Sequence, residues 1–164
     1  MGGQTPRDMP KPDIEIVVQT PAWRRRIPAF NRFVTEMVVV THDAALEDGA
    51  TEIAGPVALA FADDAAVQAL NGQFRDKDKP TNVLSFPGIG GGGDIILALQ
   101  TVAAEAAAQG KSFRDHTAHL IAHGILHLMG YDHMARGEAK RMERLERSIL
   151  ARLGIADPYV DNRG

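Results

Sequence analysis

Apolar and polar residues alternate from Ile14 to Gln19: Ile14, Ile16 and Val18 on one side, Glu15, Val17 and Gln19 on the other. This period of two predicts a strand with one buried face. After Pro28, a residue suited to a first helical turn, Phe30, Phe33, Val34, Met37, Val38 and Thr41 recur at helical spacing. Residues 57–61 read as a short buried strand, and Asp63 or Asp64 can cap a following helix that ends near Asn71. Short strands are expected over 82–86 and 94–99, on either side of a glycine run, and a further helical stretch ends at Gly110. Ser112 and Asp115 form a capping-box pattern for a helix over 113–129, which turns Leu120, Ile121, Ile125 and Leu128 to the core. A last helix from about Glu138 carries Met142, Leu145, Ile149 and Leu153 inward and stops at Gly154. The pattern contains no repeat or linker. It predicts an α+β fold: a single small domain, with a mixed β-sheet covered by helices, a central histidine-bearing helix, and strand order left open.

That central helix carries the candidate chemistry. His116, His119, His123 and His127 follow steps of three, four and four, so they share one stripe, and His133 follows after a turn at Gly130. Four residues turn a helix through about 400°, which brings two imidazoles within reach of one ion. His119 and His127 are about 12 Å apart along the axis, too far to share it. The helical ligand pair is therefore 119/123 or 123/127. The turn at Gly130 favours the second, because His133 then arrives near His127, and His119 becomes a supporting or groove-lining residue. Three histidines with no fourth ligand in the motif resemble a catalytic zinc site that keeps an open position. Zinc proteases place a glutamate directly after the first histidine as general base, and here that place is Gly124. A glycine inside a helix costs about 1 kcal/mol relative to alanine, so a packed element or a substrate is expected to approach its backbone.

The run HGILHLMGYDH at 123–133, preceded by RDKDKPTNVLSFP at 75–87 and GDIILAL at 93–99, is similar to the YbeY family of metal-dependent endoribonucleases, also described as rRNA maturation factors. The likeness extends over about 57–159. It implies a small α+β fold and one Zn2+ per chain on His123, His127 and His133. The implied role is cleavage of single-stranded RNA, in maturation of the small-subunit rRNA 3′ end and in ribosome quality control, with the small subunit and its assembly proteins as partners. The family's functionally important arginine falls on Arg75. The resemblance makes Arg75, Lys77 and Lys79 candidates for phosphate contacts, because an arginine fork can hold a phosphate by two hydrogen bonds. Asn82 and Ser85 are candidate substrate-binding residues, with Thr81 beside them, and His119 is the nearest candidate for a general base. Asp132 is read equally as an orienting carboxylate or an exposed turn residue. Between Phe86 and Asp94 the family usually has a longer, often acidic loop; this chain has the bare run Gly90, Gly91, Gly92, Gly93, which places substrate contacts from that edge in question.

Composition narrows the picture without pointing to a reaction. The chain has 164 residues, 45% hydrophobic and 24% charged, which suits one globular domain. Residues 1–11 read as a flexible tail and 12–164 as the domain. With no cysteine, no thiolate zinc site exists, and histidine and carboxylate are the strong ligands left; such sites also accept nickel or other divalent ions. The expected location is cytoplasmic, with no membrane association, since no signal-like apolar core or long apolar stretch occurs. A net charge of −3 does not announce a nucleic-acid binder. Arg24, Arg25 and Arg26 read as an ordinary solvated face. Two other classes stay in play: a ribosome-associated assembly factor with a structural metal, and a zinc hydrolase of peptides or small molecules.

Overall fold

β1 (Ile14–Val18) alternates half-buried and exposed positions, as its sequence requires. In β2 (Val57–Ala62) the large residues Val57, Leu59 and Phe61 are buried on one side, while Ala58, Ala60 and Ala62 take the other. That asymmetry decides which face of the sheet receives the thicker helical layer. The computed structural model describes residues 11–75, 81–131 and 136–159, without the side chains at 72–75 and 136. Within these, β3 (Val83–Pro87) and β4 (Gly93–Ala98) complete a four-stranded sheet of order β1-β2-β4-β3. The first three strands in that order are parallel, and β3 is antiparallel to β4, with Leu84 opposite Ile96. The helices are α1 (Ala22–Arg26), α2 (Phe30–Glu47), α3 (Asp64–Arg75), α4 (Leu99–Ala108), α5 (Phe113–Leu128) and α6 (Arg136–Arg152). The result is the α+β domain expected, with α5 packed against α2, α4, α6, β3 and β4.

The main core joins Leu59, Phe61, Ile95 and Leu97 of the sheet to Trp23, Phe30, Met37, Ile121, Ile125, Met142 and Ile149 of the helices. Full burial of one such side chain contributes about 1.5–3 kcal/mol. Edge-to-face packing orders the aromatic residues, with ring centroids 4.7 Å apart for Phe30 and Phe61 and 5.1 Å for Trp23 and Phe61. The Trp23 indole N–H donates to the Ala62 carbonyl at 3.0 Å, so its burial leaves no orphan donor. A smaller cluster on the opposite face joins Val67 of α3 to Ala62, Leu84 and Ala98. The Ser112 hydroxyl accepts the Asp115 N–H at 3.0 Å, the cap anticipated for α5.

Three boundaries differ from the sequence pattern. α1 is too short to show a period; it buries Trp23 and leaves Arg24, Arg25 and Arg26 exposed. α2 starts at Phe30, two residues after Pro28, because Ala29 takes a left-handed conformation at φ 51°. α3 continues past Asn71 to Arg75, so Arg75 is the last residue of a helix and not part of a loop. The expected end near Asn71 is passed because Asn71 is itself buried on the helix, and the interior Gly72 is tolerated at about 1 kcal/mol.

The glycine run has a structural cause. The β3–β4 connection crosses the backbone of residues 54–56, where the Gly93 N–H donates to the Pro56 carbonyl at 3.0 Å. A Cβ on Gly92, whose φ is 69°, would lie 2.2 Å from the Pro56 oxygen. Gly124 answers the other expectation about glycine: the Ile95 side chain of β4 lies 3.1 Å from where its Cβ would be, so a packed element approaches the helix there. No helix among the described residues is long and apolar enough to cross a membrane.

Candidate functional site

The polar stripe of α5 opens onto a cleft of about 600 Å3. His116, His119, His123 and His127 form one wall; Thr81, Asn82 and Ser85 of β3 and its lead-in form another. Glu105 and Gln109 at the end of α4, Lys111, and Pro158 and Tyr159 of the C-terminal segment also line it. The cleft exists because α5 buries Ile121 and Ile125 in the core, which turns the histidines to another side of the same helix.

The centre of this wall is organised by a residue that the histidine motif does not contain. Glu146 of α6 has no exposed surface, and both its oxygens are engaged. Oε1 lies 2.6 Å from His119 Nε2 and also accepts the Tyr159 hydroxyl, while Oε2 lies 2.8 Å from His123 Nδ1. Burial works to raise the Glu146 pKa, but the hydrogen bonds from His119 and His123 outweigh it and hold the carboxyl at about 2. An ionised carboxylate only accepts, so the ring nitrogens facing it carry the protons: Nε2 on His119 and Nδ1 on His123. The two neighbours are thus fixed through opposite nitrogens. In neutral His123 the lone pair sits on Nε2; in neutral His119 it sits on Nδ1, an atom buried without a hydrogen-bond partner. Burial and the bond to Glu146 also push the Tyr159 phenol well above its usual range.

At the Lys111 end, His116 Nε2 lies 2.8 Å from Glu105 Oε1, which also accepts the Asn82 amide at 2.9 Å. Burial lowers the His116 pKa against the opposing pull of Glu105, favouring the neutral ring. Asn82 therefore lines the cleft but spends its amide on the cleft wall. Burial also lowers the Lys111 pKa.

Beyond His127 the helix ends and Gly130 turns the chain with φ 99°, as the motif predicts. Tyr131 follows, buried, and its hydroxyl donates to Asp48 Oδ2 at 2.6 Å; Arg141 Nε of α6 donates to the same oxygen at 2.9 Å. The end of α2, the turn after α5 and the start of α6 are thereby tied together.

Of the residues singled out in the sequence, His119, His123, His127, Thr81, Asn82 and Ser85 meet at the cleft. Arg75 ends α3, with its side chain not described, and Lys77, Lys79, Asp132 and His133 lie outside the described residues. Among the described residues no group of three or more His, Asp or Glu forms a complete metal-binding set; His123 and His127 are two of the three expected ligands. Glu146, Tyr159, Glu105 and Lys111 were missed. For Glu146 a signal existed: it falls four residues after Met142 and three before Ile149, a carboxylate on an otherwise apolar stripe.

Fold and cleft together define a class, the single-domain α+β proteins in which one buried helix presents a histidine row beside a sheet edge. The solution structure of TM1509 from Thermotoga maritima has this fold, with a TM-score of 0.55 and 20% identity over 92% of this chain and 98% of that one. The family model described as Endoribonuclease YbeY matches residues 23–154, and the chain belongs to that family. A relative in Methylocella silvestris named Endoribonuclease YbeY is 48% identical, covering 92% of this chain and 88% of its own length. One of the same name in Paramagnetospirillum magneticum is 44% identical, covering 90% and 95% respectively.

Proposed function

We propose that this chain is a zinc-dependent endoribonuclease that cleaves single-stranded RNA, acting in the cytoplasm on the 3′ end of small-subunit rRNA and in ribosome quality control. Family membership and the name shared by its relatives support the endoribonuclease activity; the RNA, the metal and the ribosomal setting follow the motif resemblance. The single observation that carries the site is the Glu146–His123 contact, in which a buried carboxylate accepts a hydrogen bond from the Nδ1–H of a cleft-lining histidine, so that the ring's lone pair is on Nε2. That is the arrangement expected of a metal-ligating imidazole.

His123, His127 and His133 would hold the ion. When bound, zinc supplies Lewis-acid polarisation of a phosphodiester oxygen and of the attacking water. His119 fits this set poorly, since its Nε2 is committed to Glu146 and its Nδ1 is buried. This favours the 123/127 pair over 119/123, and favours a supporting role for His119 over that of general base. Arg75, at the end of α3, is proposed to hold the scissile phosphate, with Lys77 and Lys79 tracking the strand and Thr81, Asn82 and Ser85 lining its path.

A peptide hydrolase would need a carboxylate base in place of the one absent at Gly124. Among the described residues, the two carboxylates that meet the histidine row are otherwise employed: Glu146 is sealed between two histidines and a tyrosine, and Glu105 is engaged by His116 and Asn82. The test is a panel of single-stranded RNA, duplex RNA, single-stranded DNA and unstructured peptide, each incubated with zinc-loaded protein. Cleavage confined to single-stranded RNA is expected; cleavage of peptide with RNA left intact would replace this reading with the hydrolase.

A further inference from the structure

Glu146 is the one buried acidic residue among the described residues. It is flanked on α6 by the buried Met142, Ile149 and Leu150, a stripe on which an apolar residue would pack at lower cost. A buried charge carries a desolvation penalty that good partners only offset, so it is poor evidence for stability and better evidence for a specified arrangement. Here the arrangement is specific atom by atom. Glu146 reaches across 23 residues of sequence to His123 and across 27 to His119, and takes different ring nitrogens from each. Tyr159, from the segment after α6, adds its hydroxyl to the oxygen shared with His119. The segment bearing it is fastened as well: Arg147 Nε donates to Asp157 Oδ1 at 3.2 Å, the Tyr159 N–H donates to the same oxygen at 2.8 Å, and the Arg147 guanidinium lies over the Tyr159 ring at 5.3 Å.

We propose that Glu146 is the positioning residue of the histidine cluster: it holds His123 in the Nδ1–H tautomer so that Nε2 is the metal-binding nitrogen, while His119 and Tyr159 fix the carboxylate by occupying its other oxygen. The proposal rests on the reading of His123 as a metal ligand. It gives His119 and Tyr159 a shared task, steering the carboxylate without touching metal or RNA. A helix tether alone would ask only for a polar contact between α5 and α6 and would be indifferent to which nitrogen of His123 is protonated.

The direct test is nitrogen-15 NMR of the imidazoles in metal-free protein near pH 8, together with zinc affinity measured by chelator competition, for wild type, Glu146→Gln, Glu146→Asp and Tyr159→Phe. In the wild type His123 is expected in the Nδ1–H form and His119 in the Nε2–H form. Glu146→Gln keeps the shape but offers one acceptor and one donor, so the tautomer of at least one of these histidines should change and zinc affinity should fall at least tenfold. Glu146→Asp should recover part of that loss, and Tyr159→Phe should lose less than Glu146→Gln. Wild-type His123 found in the Nε2–H form overturns the proposal without recourse to any variant. So does a folded Glu146→Gln protein with wild-type tautomers and wild-type zinc affinity, which would leave Glu146 a tether. A wild type that binds no zinc removes the proposal and its premise together. Zinc binding without RNA cleavage refutes the proposed function alone and leaves Glu146 in its role.

Discussion

His116 and His127 occupy the same stripe of α5 and line the same cleft, yet they are expected to behave in opposite ways. His116 is almost fully buried and its Nε2 is committed to Glu105, whereas His127 is proposed as the helical ligand nearest the Gly130 turn. Elemental analysis of purified protein should give about one divalent ion per chain, lost in large part from His127→Ala and retained in His116→Ala. Equal metal content in the two variants would remove the ligand assignment. Arg75→Ala should leave metal content and melting temperature unchanged but slow single-turnover RNA cleavage at least tenfold, since a charge-assisted hydrogen bond at the reacting phosphate is worth about 1.5–3 kcal/mol. Arg75→Lys, which keeps charge without the planar fork, should recover only part. Unchanged cleavage by Arg75→Ala would exclude that contact. At this scale the histidine spacing was legible because helical geometry converts sequence steps directly into a shared face. Glu146 was legible only as a carboxylate on an apolar stripe; its partners were not, since contacts across 23 positions depend on how α5 and α6 pack, which no local period encodes.

Two connections of the fold owe their shape to single residues. The β3–β4 connection requires glycine at position 92 for two reasons, its φ of 69° and the Pro56 oxygen 2.2 Å from a would-be Cβ; Gly90, with φ 83°, has nothing within 4 Å. Gly92→Ala should therefore destabilise the protein by about 2 kcal/mol or more, and by clearly more than Gly90→Ala, as denaturant melts would show. Equal losses would mean that backbone conformation alone sets the requirement. The sequence displayed the glycines but not the backbone they cross, which is why the run looked merely bare. The tie from Asp48 to Tyr131 and Arg141 makes a second prediction. The Tyr131 hydrogen bond, aided by Arg141, holds the Asp48 pKa below its ordinary 3.8, and burial with the same bond pushes the Tyr131 phenol up to about 12. A carboxyl depressed on folding stabilises the protein above the unfolded-state pKa and loses that contribution as pH falls through the folded one. The melting temperature of wild type should exceed that of Asp48→Asn at pH 6, and the gap should close as pH drops below 3.8. A gap that stays constant to pH 3 would show that the carboxylate charge does not matter there.

At the scale of the whole molecule, the α+β class and the central histidine helix follow from alternating periods, β1 being visible as an alternating segment and the other strands as short apolar runs. Strand order was not, because placing β4 between β2 and β3 depends on pairings far apart in sequence. The main core lies between the sheet and the helices, and the histidine row lines the cleft, so the fold is expected to survive loss of whatever the cleft holds. An assembly factor with a structural metal predicts the opposite, unfolding when the metal is removed. The most direct measurement takes one defined single-stranded RNA and compares zinc-loaded protein, chelator-stripped protein and stripped protein with zinc restored, with both product ends mapped and circular dichroism recorded on each sample. Internal cleavage by the loaded protein is expected, with its loss on stripping while the fold is retained, and its return with zinc. Cleavage undiminished in stripped protein shown to be metal-free, or unfolding on metal removal, would contradict a zinc-dependent nuclease.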